Sequence, residues 1–225
     1  MALIDLRREG AVFVLTLCAG ENRFNRPFLD ALTAALDEIE ASNGPAALVT
    51  VGEGKFYSNG LDLDWLSGDG QREGGAFISD VIRTFGRVMG CPLPTVAAIN
   101  GHAFAAGAML ALAHDYRVMR ADRGFFCLPE VDIQLPLAPG MTALIKSRLS
   151  PATFRDAILT GARIGGAEAR DRGIVDEAAD ADAVLSRAIE RAGALAGKER
   201  GIYGALKRGM YADVLQVLAA GDLPK

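Results

Sequence analysis

Residues 101–109 read GHAFAAGAM. Gly101, Ala103, Ala105, Ala106, Gly107 and Ala108 are small enough to let another backbone, or a ligand, come very close. A strand-like run, PTVAAIN, leads into this stretch and an apolar helical pattern leaves it. The first turn of a helix carries backbone N–H groups without partners, and the helix dipole adds partial positive charge there. Small side chains open those donors to a ligand oxygen. The chemistry this suits is stabilisation of negative charge developing on a carbonyl oxygen. Close packing of a helix on a sheet wants the same residues and is the plainer account of this stretch alone. A second stretch, FYSNGLDL (residues 56–63), repeats the layout of strand, glycine-containing loop and helix start. Asp62 is placed to cap the short helix that follows. Either stretch fits an ordinary turn, yet two such turns in one sheet can offer one N–H each to the same oxygen.

The elements that must hold these turns are legible as periodicity. AVFVLTL (11–17) and AALVTVG (46–52) are apolar, β-branched runs and predict buried strands. NRPFLDALTAALDEIEAS places Leu29, Leu32, Leu36 and Ile39 at helical spacing, with Pro27 in the first turn. SGDGQREGG (67–75) is the most flexible-looking segment, a surface lid or a mere connection. Helix is expected over 77–89, strand over the PTVAAIN run and over YRVMRA (116–121), and mostly helix from Pro139 onward, with a last segment over 202–218. Strands alternating with helices, then a helical tail, predict an α/β fold with a parallel-type sheet.

Composition sets the outer bounds. A chain of 225 residues, half of them hydrophobic, can bury a sizeable core in one large domain. The net charge of −4 argues against a nucleic-acid surface. Three scattered cysteines (Cys18, Cys91, Cys127) and two histidines (His102, His114) form no CxxC pattern or zinc-ligand set, so no metal is expected. No apolar run approaches the ~20 residues of a membrane span. MALIDLRREG does not read as a signal peptide and GDLPK carries no peroxisomal tripeptide, so a cytoplasmic location is expected.

KFYSNGLDLDWL, then PTVAAINGHAFAAGAMLALAHDYRVM about 40 residues on, then GFFCLPEVDIQLPLAPGM, resemble the signature segments of the crotonase (enoyl-CoA hydratase/isomerase) superfamily. The resemblance covers residues 12–175, and its wording is most similar to the monofunctional Δ3,Δ2-enoyl-CoA isomerases. It implies a crotonase-type spiral of ββα units. Residues 1–175 would form the core with the acyl-CoA site, and 176–225 a helical trimerisation region. It further implies a homotrimer or dimer of trimers, and no cofactor beyond the coenzyme A of the substrate itself.

Carried over residue by residue, the resemblance gives the backbone amides of Leu61 and Ala106 to the thioester oxygen. It lays Ser58, Asn59, Gly60, Leu61 and Asp62 along the coenzyme A moiety. Hydratases of the family use two glutamates; the first position is Met109 here, and the second is Glu130, in the pair Pro129-Glu130. One glutamate suffices for a 1,3-proton shift in which Glu130 takes a proton from C2 and returns it at C4 through a dienolate. Phe125, Phe126, Leu128, Val131 and Ile133 flank Glu130 and predict an apolar pocket that raises its pKa. A solvated loop acid is the alternative for Glu130 on the residues alone. Met109 reads as a pocket wall or core residue, His102 as a partly buried histidine, and Asp132 as a nearby acid off the family's position. Ser58 has no matched His/Asp partner, which argues against a hydrolase triad. Arg23, Lys55, Lys207 and Arg208 are candidate phosphate contacts, with surface solvation as the default. Thioester hydrolysis, decarboxylation, weak hydration or non-catalytic acyl-CoA binding remain as other readings.

Overall fold

The computed structural model describes residues 2–224. The chain opens with β1 (Ile4–Glu9) and β2 (Val12–Leu17), followed by α1 (Arg26–Ala41). Next come β3 (Ala47–Gly52), β4 (Phe56–Ser58), α2 (Leu63–Ser67) and α3 (Gly74–Gly90). The pattern repeats as β5 (Thr95–Ile99), β6 (His102–Phe104) and α4 (Ala106–Ala113), then β7 (Tyr116–Arg120), β8 (Phe126–Cys127) and α5 (Pro139–Arg148). The remainder is α6 (Pro151–Thr160), α7 (Gly166–Asp171), β9 (Glu177–Ala179), α8 (Val184–Leu195), α9 (Arg200–Met210) and α10 (Ala212–Ala220).

Alternate strands go to different sheets. The larger sheet runs β1-β2-β3-β5-β7-β9 and the smaller β4-β6-β8. From β3 to β8 each turn of the spiral thus gives one strand to each sheet before its helical segment, the ββα repeat that the resemblance implies. From β2 to β9 the larger sheet is parallel; β1 pairs antiparallel with β2 across the Gly10 turn. A strand at β1 is absent from the periodicity because it is a mostly exposed edge, IDLRRE, with little apolar alternation.

Both faces of the larger sheet are covered, which is why β3 and β5 are buried at every residue. Val12, Val14, Val49, Val96 and Val118 pack under α8 on one face. Phe13, Leu15, Leu17, Leu48 and Ile99 join the main core with α1, α3 and α4 on the other. All eight residues of α4 are buried, as expected of a helix apolar on every side. The boundary expected at 175 falls just before β9, which joins the larger sheet beside β7, and α8 covers that sheet. The last helical segment is two helices, broken at Tyr211, whose hydroxyl meets the Arg148 guanidinium.

The 67–75 segment is a connection and not an open lid. Gly70 N–H donates to Trp65 O at 2.8 Å, and Gly70 is buried against the Trp65 ring. Gly68 and Gly70 serve folded-back turns and Gly74 and Gly75 open α3, whereas sequence composition alone reads them as flexibility. Among the described residues no helix is long and apolar enough to cross a membrane.

Candidate active site

The two glycine-containing turns meet. In α4 the first helical bond is Met109 N–H to Ala105 O, so Ala106 N–H precedes the helical ladder. Around Leu61, Phe24 N–H donates to Gly60 O and Asp62 N–H to Phe24 O. That ladder uses the groups on either side of Leu61 and leaves Leu61 N–H facing away from it. Two glycines bring the turns into contact. A first side-chain carbon on Gly60 (φ +81°) would lie 2.9 Å from Ala105 Cβ and 3.4 Å from Ala106 N. One on Gly107 would overlap the Ser58 carbonyl. Ala105 itself sits at φ 49°, ψ −122°, a conformation that costs a residue with a Cβ about 1–3 kcal/mol. The surrounding structure imposes it: Ala105 N–H is spent on Cys127 O at 3.0 Å, and the chain must turn there to start α4.

Both turns open on a cavity of about 540 Å³. Leu61, Ala106, Met109, Glu130, Ile78 and Met141 are among its walls, with Arg23, Asn59 and Asp64 as polar members. Glu130 follows β8 in a turn pinned by Ile133 N–H to Pro129 O (3.0 Å) and Leu135 N–H to Glu130 O (3.0 Å). Glu130 is 9% exposed, and its Oε2 is buried without a hydrogen-bond partner. Burial pushes its pKa up to about 7. A carboxyl so placed is suited to accept and return a proton near neutral pH.

The expected site residues therefore divide. Leu61, Ala106, Glu130 and Asn59 line the cavity. Ser58, Gly60 and Asp62 are not among its walls. Ser58 is fully buried and donates to Asn22 O at 2.7 Å. Asp62 caps α2 by accepting from Trp65 N–H and also accepts from Asn25 Nδ2. The apolar surroundings of Glu130 come from other residues than most of those predicted. Phe126 and Leu128 turn into the core and Phe125 and Val131 toward solvent, while Ile133 joins Leu137 and Met141 in the wall. Asp132 is exposed and lines no part of the cavity. Met109 is both core and wall. Lys207 departs from the solvated default: it is buried and paired with Asp115 at 2.8 Å, away from the cavity. Arg23 reaches the cavity edge, held by Glu21 at 2.7 Å. Ile78, Met141 and Pro224 also line the cavity; no sequence motif marks them, and long-range packing alone brings them here.

The buried carboxyl has a thermodynamic signature. Its folded pKa lies above the ordinary value of 4.5, so the folded state holds the proton more tightly than the unfolded chain. Stability is therefore expected to fall as pH rises through about 4.5 to 7. At about 1.36 kcal/mol per pH unit, the loss is on the order of 3 kcal/mol. Glu130→Gln should remove this slope, so the variant gains on the wild type in thermal unfolding at pH 8 relative to pH 5. Parallel Tm–pH curves for the two proteins would contradict it.

In sequence and fold the chain is similar to known proteins. The Enoyl-CoA hydratase/isomerase family model matches residues 7–221. Enoyl-CoA delta isomerase 2, peroxisomal, of Arabidopsis thaliana is 35% identical over 228 residues, 96% of this chain and 95% of that protein. A putative enoyl-CoA hydratase of Thermus thermophilus is 35% identical over 170 residues, 74% of this chain and 64% of that protein. The apo structure of a Mycobacterium tuberculosis enoyl-CoA isomerase superposes with a TM-score of 0.91 at 28% identity, covering 98% of this chain and 96% of that one.

Proposed function

Because the chain belongs to the enoyl-CoA hydratase/isomerase family, we propose that it is a Δ3,Δ2-enoyl-CoA isomerase working by a single-carboxylate 1,3-proton transfer. The observation that carries this reading is the cavity's acid–base complement: Glu130 is a buried carboxyl in the wall, and the thioether of Met109 occupies the other wall position. In this mechanism the thioester oxygen of a 3-enoyl-CoA accepts hydrogen bonds from Leu61 N–H and Ala106 N–H. That polarisation acidifies the protons on C2. Glu130 as carboxylate removes one, and the electron pair delocalises over the dienolate, whose charge rests on the oxygen. Glu130, now a carboxylic acid, delivers a proton to C4 and yields the conjugated 2-enoyl-CoA. Atoms and charge balance with no water or redox group, and coenzyme A enters only as part of the substrate.

Adding water across the double bond is a different task. It needs a second group to orient and deprotonate the water, and Met109 offers no proton acceptor of use. The deciding experiment is incubation with 3-hexenoyl-CoA while following conjugated 2-enoyl-CoA, with crotonyl-CoA beside it. Rapid conjugation with slow hydration is expected. Robust hydration of crotonyl-CoA without isomerisation would place the protein among the hydratases instead.

The same reading includes assembly as a homotrimer or dimer of trimers and a cytoplasmic location. Supporting self-association, α9 leaves Ile202, Leu206 and Met210 exposed along one stripe. Sedimentation of the purified chain as a monomer would remove that part of the reading.

A further inference from the structure

A chain of buried polar groups lies behind the site and has no role in the mechanism above. Tyr57 OH is 2.7 Å from Thr50 Oγ1, and Thr50 Oγ1 is 3.0 Å from His114 Nε2. His114 Nδ1 is 2.8 Å from Leu110 O. Tyr57 and His114 are fully buried, and Thr50 is 1% exposed. The carbonyl at one end fixes every proton. Leu110 O only accepts, so Nδ1–H donates. His114 is neutral because burial holds its pKa down to about 3. Nε2 is then an acceptor, Thr50 O–H donates to it, and Tyr57 O–H donates to Thr50 Oγ1. Each bond in such a one-way chain polarises the next.

The elements joined are the ones that carry the two amides. Tyr57 lies in β4, four residues before Leu61. Leu110 lies in the second half of α4, whose first residue is Ala106, and His114 caps its C-terminal end. Thr50, in the central strand β3, lies between them. At its N-terminal end α4 already touches the other turn where Gly107 meets Ser58 O. Apolar packing surrounds α4 along its length but is non-directional; the chain of hydrogen bonds adds a directional tie at the far end. The far end is further held by Arg117 Nη1 on His114 O (3.0 Å) and Arg148 Nη2 on His114 O (2.7 Å).

We infer that Tyr57, Thr50 and His114 are positioning residues that set the distance and angle between Leu61 N–H and Ala106 N–H. The inference rests on the isomerase reading in that it needs a thioester oxygen between those amides. It touches neither Glu130 nor the substrate directly.

The test is Thr50→Val, which keeps shape and breaks both central bonds, beside Thr50→Ser, which keeps the hydroxyl, and Tyr57→Phe, which cuts only one end. Misplacing a catalytic donor by up to an ångström costs up to about 10²-fold. Thr50→Val is therefore expected to lower kcat about 10- to 100-fold. KM should stay within about twofold and the pH profile should keep its midpoint, while Thr50→Ser recovers most of the rate. The carbonyl stretch of bound 2-enoyl-CoA, shifted in the wild type by the two donors, should move back toward its free position in Thr50→Val and partway in Tyr57→Phe. Should Thr50→Val fail to fold, Tyr57→Phe alone decides. An unchanged carbonyl band or unchanged kcat in a folded variant overturns the inference, as does a Thr50→Ser protein as impaired as Thr50→Val. A wild type with no carbonyl shift at all overturns the oxyanion reading itself, and the inference with it.

Discussion

Glu130→Gln is expected to lower the isomerisation rate by about 10²–10⁴-fold, the range for removing a general acid–base group. The substitution keeps the side chain's shape and its place in the cavity wall, so affinity for a saturated acyl-CoA should change little. Rate and binding then separate, as expected when an interaction acts only on the reacting proton. The wild-type pH dependence provides an independent check. The base must be a carboxylate in the free enzyme, and burial holds its pKa up at about 7. Below that pH Glu130 carries its proton and cannot accept another, so kcat/KM should rise tenfold per unit on the acid side and level off above about 7. The residual activity of Glu130→Gln should lack this limb. A variant with near-wild-type turnover would sink the assignment and turn attention to Asp64, the other carboxylate lining the cavity, whose side chain is 95% exposed; Asp132 is exposed and does not line it.

The second large effect concerns a backbone group. Proline at position 106 removes the proposed N–H donor without breaking the helix, because Ala106 opens α4 and its N–H makes no helical bond. The obstacle is the residue before it. Ala105, at φ 49° and ψ −122°, brings its Cβ close to the following nitrogen, and a proline ring would collide with it. Ala105→Gly/Ala106→Pro relieves that collision, with Ala105→Gly as the reference. Losing one oxyanion donor should cost about 10²–10³-fold in kcat relative to that reference. Ala105→Gly alone should retain activity. It should raise stability by about 1 kcal/mol, since relief of about 1–3 kcal/mol of backbone strain outweighs glycine's entropic cost of about 0.5–1. The result to watch for is a double variant that turns over within a few-fold of Ala105→Gly; the thioester oxygen would then not sit at Ala106.

These two experiments address residues whose settings were legible to different degrees. The two glycine-containing turns were legible as places where an oxyanion could be held, with close packing the plainer account, and the motif resemblance singled out Leu61 and Ala106 within them. Glu130 was not legible from its own surroundings. A Pro-Glu pair among large apolar residues fits a solvated loop as well as a pocket, and the motif resemblance distinguished them. The local inference also misplaced its walls. Strand alternation followed by a tight turn sends neighbours in opposite directions, so Phe126 and Leu128 enter the core while Phe125 and Val131 face solvent.

By itself, then, the sequence determined the alternation of strands and helices, the two small-residue turns, and the absence of a carboxylate at Met109. Each of these is a local property, set by side-chain period, side-chain size or residue type within a few positions. The tertiary structure alone decided that Gly60 abuts Ala105 and that Lys207 is buried on Asp115. It likewise decided that Tyr57, Thr50 and His114 form one chain of hydrogen bonds across β4, β3 and α4. The physical reason is separation along the chain. Thr50 and His114 are 64 residues apart and Lys207 and Asp115 are 92 apart. No period or propensity records which distant residues will share a buried contact. GHAFAAGAM reads as a place where something can approach closely, and folding decides that the other turn arrives there.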